Sequence, residues 1–423
     1  MNNINKHNST IINILFSLFP LSLILGNLVT NINIFLLCFF ALFFYNKNLI
    51  KFKTNKLDKI IIFFFIYTFV TLIINFFDSY FNSLVFSKLV VFKTILYLKY
   101  LALYLILRVL ISQKILRLDW FSLAGAICAA FVCVDIFYQF IFGKDIFGYE
   151  PYFNSYSGVF GTELIAGGYL QKFGLFIIFL PFLTKKKLSH KFLIQSSFFI
   201  ILLFGIILSG NRTPFVLYVF SFFIYLALDK NFRKKFFSIF IIVLLIVTLA
   251  VSVNKSFKKR MNAFYNSGVY VVKIFLTKNL LNEPEEVWVK PYISQVYCFS
   301  YSFKNNPLFG GGIKSYRTHV NCNTHPHNYY LEILSDLGLL GLAIILIFVF
   351  MLLNKILLKK TTRFQIDLNS IDDKMMPFFL IFFIEFFPVR TSGSFFTTSS
   401  ASVIFLFIAV LVSLISEKKI YNN

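Results

Sequence analysis

Long apolar runs alternate with short polar connections along almost the whole chain. A helix needs about 20 predominantly apolar residues to cross the hydrocarbon core of a bilayer, so each run predicts a membrane span. The predicted spans are 11–28, 30–46, 60–77, 95–112, 119–143, 162–183, 193–209, 214–229, 236–253, 329–353, 375–389 and 400–416. The first two are joined tightly enough to predict a hairpin. The pattern therefore predicts an all-α polytopic membrane protein with about twelve transmembrane helices.

Composition agrees with this prediction. Of the 423 residues, 58% are hydrophobic, 14% are charged and 60 are Phe. A water-soluble fold cannot bury that much apolar surface, because its own surface grows with its size. Composition therefore indicates an integral membrane protein rather than a soluble one.

The net charge of +23 raises the question of a nucleic-acid partner. No basic face can be separated from the membrane pattern, and the charge is concentrated in short connections between spans. Such connections face the cytoplasm by the positive-inside rule, so both termini are predicted to be cytoplasmic and nucleic acid is not predicted as a partner. The basic connections are Lys47–Lys59, Arg108–Arg117, Lys185–Lys191, Lys230–Lys235 and Lys355–Lys374.

The opposite face carries the loop Gly143–Gly161, the turn Ser209–Pro214 and the segment 254–328. The segment is too polar to span a membrane and too long for a simple connector. Its basic residues do not contradict an outside position, because long loops cross regardless of charge. We predict N-terminal transmembrane helices at 1–160, a membrane domain at 161–416 that includes this long loop, and a cytoplasmic tail at 417–423.

Five cysteines are present. Cys298 and Cys322 share the long polar segment and can form a disulfide if that segment lies outside the cytoplasm, a question that the sequence leaves open. Cys38, Cys128 and Cys133 lie in apolar runs, where they are expected to be small buried side chains. No Cys/His spacing suggests a metal site, so neither a metal nor a cofactor is predicted.

The strongest candidate chemistry follows that segment, in the stretch Thr324–Gly341. His325 and His327 precede a span, and a histidine there can exchange protons near neutral pH. Glu332 and Asp336 are four residues apart, so they share one helix face. An acidic pair so close to the bilayer is usually either functional or paired. The alternative is an interfacial histidine with an acidic pair that only joins helices.

Basic residues at two turns are candidates for phosphate binding. Arg212 lies in the turn Ser209–Pro214, where a fixed guanidinium can bind a phosphate through two hydrogen bonds. The alternative is a lipid-headgroup contact. The stretch Asn306–Arg317 contains three consecutive glycines followed by Lys314 and Arg317. Such a run can cradle phosphate oxygens, although a flexible basic loop is the simpler explanation.

Weaker candidates lie elsewhere on the chain. Glu163 precedes a span whose small residues permit close helix packing, and Arg390 lies on an outside connection. Lys172 and Asp135 lie within predicted spans, where pairing is the simpler explanation of both.

Three of these pieces together resemble a known family, the bacterial O-antigen ligase and O-antigen polymerase superfamily. They are Ser-Gly-Asn-Arg-Thr at 209–213, Asn-Pro-Leu-Phe-Gly-Gly-Gly at 306–312 and His-Asn-Tyr-Tyr-Leu-Glu-Ile-Leu-Ser-Asp-Leu-Gly-Leu-Leu-Gly at 327–341. The resemblance runs from about 160 to 350, and the third piece is its most specific part. It implies about twelve spans and one long periplasmic loop in the bacterial inner membrane.

The resemblance also implies an activity. It is the transfer of a glycan from undecaprenyl diphosphate to lipid A-core, by a ligase, or to a lipid-linked repeat unit, by a polymerase. No metal or cofactor is implied. His327 matches the family's key histidine, and Arg212 and Arg317 match its loop arginines. Asn211 and Asp336 depart from the pattern, because many relatives carry Glu at both positions.

From this we predict catalytic roles for His327, Arg212 and Arg317. The expected substrate-binding residues are His325, Asn328, Lys314, Arg390 and Glu163. Ligase activity is slightly favoured over polymerase activity. Two readings of other classes remain: a secondary transporter or flippase, which the absence of a repeat between the halves disfavours, and a structural scaffold, which leaves the His and Arg pattern unexplained.

Overall fold

The computed structural model describes most of the chain, and all helices and turns below lie within that part. The described residues are 3–50, 52–81, 87–152, 155–180, 191–228, 236–253, 258–259, 262, 265–266, 269, 290–318, 325–357, 374–388, 390 and 393–421.

The described residues form fourteen α-helices, and all but α11 follow the apolar runs. In chain order, α1 to α7 are Asn3–Ser17, Phe19–Ile24, Asn27–Ile50, Lys56–Phe81, Lys88–Ser112, Leu118–Phe142 and Ala166–Phe179. The others, α8 to α14, are Lys191–Leu208, Arg212–Leu228, Phe236–Val253, Lys290–Asn305, Tyr329–Leu357, Met376–Glu385 and Thr398–Tyr421. Two 3₁₀ turns lie at Gly158–Phe160 and Ser315–Thr318.

The helical, multi-span architecture is confirmed. Among the described residues, 7 helices are long and apolar enough to cross a membrane, and shorter apolar helices accompany them at α7, α8, α9 and α13. The count of about twelve and the side on which 254–328 lies stay predictions. Within that segment the structure describes chiefly α11 and the second 3₁₀ turn.

The core lies around α14, in which 83% of the most apolar stretch of residues is buried. Helix α3 lies at the other extreme, because the corresponding fraction is 28%. Its exposed Phe35 and Phe43 suit contact with lipid, where apolar surface carries no penalty. The predicted N-terminal hairpin is confirmed by hydrogen bonds across it, from Thr30 Oγ1 to the Ser22 carbonyl at 3.0 Å and from Asn33 Nδ2 to the Leu15 carbonyl at 3.1 Å.

Helix α12 is broken at Gly338, where φ is 67° and ψ is −170°. The backbone of 307–310 fits into this break: the Leu339 amide donates to the Pro307 carbonyl at 2.9 Å and the Leu340 amide to the Leu308 carbonyl at 3.2 Å. A Cβ at position 338 would overlap Leu308, so glycine is required both by φ and by space. The break therefore attaches the glycine-rich segment to the membrane helix.

One assignment of the basic connections needs correction. Arg108 is not a loop residue but lies inside α5, where its Nε is 2.8 Å from Asp58 Oδ1. Both side chains are almost fully buried, at 3% and 0% exposure. A charge this deep in an apolar helix persists because a buried partner neutralises it.

Candidate functional site

Asn328 caps the start of α12 and ties it to a neighbouring segment. Its Oδ1 accepts hydrogen bonds from the amides of Tyr330 at 2.9 Å and Leu331 at 3.2 Å, which is the geometry of a helix N-cap. Its Nδ2 donates to the carbonyls of Pro388 at 2.9 Å and Arg390 at 3.0 Å. Asn328 thus holds the helix start against the residues that follow α13, and a direct substrate contact stays a prediction.

The two histidines lie together just before this cap. Their ring centroids are 4.2 Å apart, and both side chains are half-buried. His327 has a left-handed backbone, with φ of 50°, which is uncommon for a residue other than glycine. Backbone outliers of this kind concentrate at functional sites.

Two basic side chains, Lys314 and Arg317, lie close enough to His325 to lower its pKa. Burial, then His327, Arg317 and Lys314, lower the pKa of His325 to about 4. Burial lowers the pKa of His327 as well. For Lys314, burial followed by Arg317 and Lys93 lowers the pKa to about 8. We call His325, His327, Lys314 and Arg317 the histidine cluster.

This cluster has unfilled hydrogen-bonding capacity. Within the described structure, His325 Nε2 and Arg317 Nε are buried and have no hydrogen-bond partner. Buried polar atoms usually have partners, so each exception asks for an explanation. A bound anion or sugar hydroxyl would supply one. Lys93, on α5, lies close enough to Lys314 to lower its pKa, and sequence reasoning missed it because it carries no motif of its own.

The acidic pair serves as an anchor. Asp336 accepts hydrogen bonds from the Lys314 amide at 2.7 Å, the Tyr316 amide at 3.1 Å and Ser315 Oγ at 3.2 Å. It therefore holds the backbone that presents Lys314 and Arg317.

Glu332, one helical turn before Asp336, holds the backbone at Ser394 and Phe395 in the same way. It accepts from Ser394 Oγ at 2.6 Å and the Phe395 amide at 2.6 Å. The structure thus favours the alternative in which the acidic pair joins segments together.

The glycine run does not form a phosphate cradle. The amides of Gly310, Gly311 and Gly312 donate to the carbonyls of Asn306 at 2.9 Å, Ser335 at 3.1 Å and Asp336 at 2.8 Å, so they are already used. The phosphate cradle, one of the two explanations that the sequence left open, is therefore disfavoured, and these glycines instead allow close backbone packing against α12. A Cβ at Gly310 would overlap the Asp336 backbone.

A second group of charges lies next to the histidine cluster. Lys172 Nζ is 3.1 Å from Glu385 Oε1, and Arg390 Nη1 is 2.8 Å from Glu385 Oε2. Tyr329 donates its hydroxyl to Glu385 Oε2 at 2.9 Å, and the Arg390 guanidinium lies 4.6 Å from the centroid of the Tyr329 ring. We call Lys172, Glu385 and Arg390 the Glu385 cluster.

The cluster corrects the suggested pairing of Lys172 with Asp135. The carboxylate of Asp135 accepts the Ile146 amide at 2.9 Å, whereas Lys172 is bound to Glu385. Both Lys172 and Arg390 line a cavity of about 200 Å³. The two clusters are joined through Asn328, which follows His327 and binds the Arg390 carbonyl.

Arg212 is half-buried at the first position of α9, beside the Asn211 that lines the cavity. Asn211 accepts from the Gly167 amide at 2.9 Å and donates to the Leu164 carbonyl at 2.8 Å. A glutamate could not donate to that carbonyl, which gives the departure at this position a structural reason. Glu163 is exposed in the turn before α7.

Helix α11 packs against the second 3₁₀ turn, where Tyr316 donates its hydroxyl to the Gln295 carbonyl at 3.0 Å. Cys298 on this helix is disulfide-bonded, while Cys38, Cys128 and Cys133 are free. Cys322 lies outside the described residues. In the part of the chain that the structure describes, no group of three or more His, Cys, Asp or Glu is placed to hold a metal ion.

Comparison with known families gives one match. Residues 197–346 match the family model described as O-antigen ligase. A search of the curated proteins finds no match. The matched region contains Arg212 and the whole histidine cluster, whereas Lys172, Glu385 and Arg390 lie outside it.

Proposed function

Because residues 197–346 match the family model described as O-antigen ligase, we propose that this multi-pass membrane protein transfers a glycan from undecaprenyl diphosphate to lipid A-core. The observation that carries the proposal is the histidine cluster inside the matched region. It combines a neutral histidine with two cations and with buried polar atoms that have no partner in the described structure.

His327 is the proposed general base. Its lowered pKa keeps the imidazole neutral at pH 7, so that it can accept a proton. It takes the proton of the acceptor hydroxyl while the hydroxyl oxygen forms a bond to the anomeric carbon. The bond between that carbon and the diphosphate oxygen breaks, and the carrier diphosphate leaves with the electron pair. His325 and Lys314 are proposed to orient the substrates, with Asn328 and Glu163 at the edges of the site.

Arg212 and Arg317 are proposed to bind the diphosphate, together with Arg390. The leaving diphosphate gains negative charge as the glycosidic bond breaks, and fixed guanidinium groups stabilise that charge more strongly in the transition state than in the ground state. Positive charges supplied by arginine make a metal unnecessary for this step, so we propose a metal-independent reaction.

The site is proposed to face the periplasm, with the protein in the inner membrane. The disulfide at Cys298 supports this, because disulfides persist in oxidising compartments such as the bacterial periplasm. The basic connections support the opposite, cytoplasmic face for both termini.

A gene deletion tests the activity and separates ligase from polymerase. If the deletion removes the O-chain from lipopolysaccharide and carrier-linked polymer accumulates, the protein is the ligase. A single repeat unit left on the core indicates a polymerase instead. An unchanged lipopolysaccharide gel would contradict both.

Complementation then tests the residues. His327→Ala and Arg212→Ala should fail to restore the O-chain while reaching the membrane at wild-type levels. The matched control is Lys144→Gln, which removes an exposed cation paired with Glu150 at 3.3 Å on the same predicted face. It should restore the O-chain fully.

A further inference from the structure

We propose that the cavity beside the Glu385 cluster binds a phosphate carried on an isoprenoid chain, and that Lys172 is its central ligand. The proposal deepens the proposed function, on which the identity of the lipid rests, because it assigns the lipid-proximal part of the donor to a cavity whose charged residues lie outside the matched region.

The cavity lies near the starts of three helices. Gly168 near the start of α7, Pro214 near the start of α9 and Ser399 near the start of α14 all line it. The positive end of each helix dipole therefore points toward the same small volume, and helix N-termini are favourable positions for phosphate.

Two buried cations add to this field. Lys172 and Arg390 are both at the cavity wall, and their side chains are only 14% and 7% exposed. They share the single carboxylate of Glu385, so the cluster as a whole is cationic. Burying positive charge near a bilayer is costly unless an anion accompanies it. An anionic ligand in the cavity would meet that requirement.

Much of the remaining lining is apolar and suits a hydrocarbon chain. Leu23, Ile165 and Phe173 belong to it. At ~30 Å³ per water molecule, a volume of about 200 Å³ is the space of several waters. That is room for a phosphate with the first part of its chain, but not for a whole polyprenyl lipid. The rest of the chain must therefore lie outside, among lipid tails.

The position also fits the proposed reaction. The Arg390 carbonyl is hydrogen-bonded to Asn328, the residue that follows His327. A carrier bound with its chain in this cavity would extend its sugar toward the histidine cluster, where the proposed base and Arg317 lie. The cavity and the histidine cluster would then hold the two ends of one donor.

The test is direct binding of farnesyl phosphate to the purified full-length protein, which needs no acceptor. Lys172→Gln should weaken binding about tenfold or more, since a charge-assisted hydrogen bond is lost. Lys172→Arg should stay within about threefold of the wild type. The matched control is Lys99→Gln, because Lys99 is another half-buried lysine on a membrane helix but binds Asn31, at 2.6 Å, outside the cavity.

A second variant tests the cavity without changing its charge. Position 168 has open space, since the nearest heavy atom to an added Cβ is Pro214 Cγ at 4.0 Å. Gly168→Leu should therefore fill the cavity and reduce farnesyl phosphate binding by about tenfold.

Lys172→Gln is expected to fold, because Glu385 keeps Arg390 and Tyr329 as partners. Size-exclusion profiles check both variants.

Competition identifies the ligand chemistry. Farnesol and inorganic phosphate should each compete poorly, because each offers only one half of the ligand. Equal competition by phosphatidylglycerol in mixed micelles would overturn the isoprenoid assignment in favour of a lipid headgroup. Unchanged farnesyl phosphate binding in both Lys172→Gln and Gly168→Leu would overturn the site itself.

These outcomes are separable from the proposed function. If Lys172-dependent binding holds while gene deletion leaves lipopolysaccharide unchanged, the site stands and the O-antigen assignment fails. If deletion removes the O-chain but Lys172→Gln and Gly168→Leu bind farnesyl phosphate normally, the O-antigen assignment stands and the proposed site fails.

Discussion

Two buried charge clusters in this protein are built from similar side chains but differ in what surrounds them. In the first, Arg108 binds Asp58 through Nε at 2.8 Å and Nη2 at 3.2 Å, and its Nη1 donates to Ser413 Oγ at 2.7 Å. Asp58 also accepts the Tyr104 hydroxyl at 2.6 Å and the Asn55 amide at 2.8 Å. All of these partners belong to the protein, and the five residues are not among those that line the cavity beside the Glu385 cluster.

The Glu385 cluster instead has cations at the wall of a cavity. The Asp58–Arg108 cluster fastens α4, α5 and α14 together, as a pair with balanced charge can. The Glu385 cluster has more cations than carboxylates and an open side. The comparison teaches that burial of charge alone does not indicate a binding site. The feature that separates the proposed binding site from the balanced pair is excess positive charge beside an open volume.

The largest effect should come from breaking the balanced pair. Asp58→Ala leaves the Arg108 guanidinium buried without its counterion, which typically costs about 3–5 kcal/mol. This is a large part of the total stability of an ordinary domain. We expect a lower midpoint in a heating series followed by size-exclusion chromatography. Lys172→Gln should change that midpoint far less, and an equal loss in both variants would remove the distinction between the clusters.

The next largest effect should come from His327 and should appear in the rate of glycan transfer rather than in stability. His327→Ala should reduce glycan transfer by about 10²–10⁴-fold, which is the usual contribution of a general base. The thermal midpoint should stay near the wild-type value, because His327 is half-buried and precedes the helix. Transfer from lipid-linked donor in proteoliposomes measures the rate. A variant that transfers normally would show that His327 is not the base.

A smaller effect, on both stability and transfer rate, is expected at Asp336, which holds the backbone of the histidine cluster. Asp336→Asn replaces one acceptor oxygen by an NH₂ group that faces a backbone amide or the Ser315 hydroxyl. An unsatisfied buried group costs about 1–3 kcal/mol. We expect a lower thermal midpoint and about tenfold slower transfer, since Lys314 and Arg317 lose their fixed position. A lower midpoint with unchanged transfer per folded molecule would restrict Asp336 to a purely structural role.

The smallest effect is a gradual dependence of kcat/KM on pH. His327 must be neutral to accept a proton, so activity should fall as pH drops through its pKa, which burial places below the usual 6.5. Lys314 is proposed to orient the anionic donor and must be protonated for this, so activity should fall a few-fold as pH rises through about 8. Lys314→Arg should abolish the upper decline. An upper decline that persists in this variant would assign it to another group.

Much of the fold could be predicted from the sequence, as two helices illustrate. The predicted spans 236–253 and 95–112 correspond to α10 and α5, with α5 extended at its start to Lys88. Spans are predictable because the bilayer imposes the same requirement on every segment that crosses it. The histidine cluster was partly predictable too, since Lys314, Arg317, His325 and His327 lie close together along the chain.

The Glu385 cluster was not predictable in this way. Lys172 and Glu385 are single polar residues at distant positions, each within an apolar helix, and neither has a local motif. The pairing suggested for Lys172 failed because a helix face, not proximity in sequence, decides which polar groups meet. Likewise, the glycine run suggested phosphate binding, whereas two of its amides donate hydrogen bonds to carbonyls of α12 next to the break.

The sequence by itself determined which segments are apolar enough to form membrane helices, which connections carry positive charge, and which motif supplies the histidines. Local hydrophobicity and short-range spacing are sufficient for these properties, because they depend on each segment's own interaction with the bilayer. Only the tertiary structure decided that three helix N-termini, Lys172 and Arg390 share one cavity next to those histidines. Packing between distant helices sets that arrangement, and the free energy of such contacts is not encoded in any single segment.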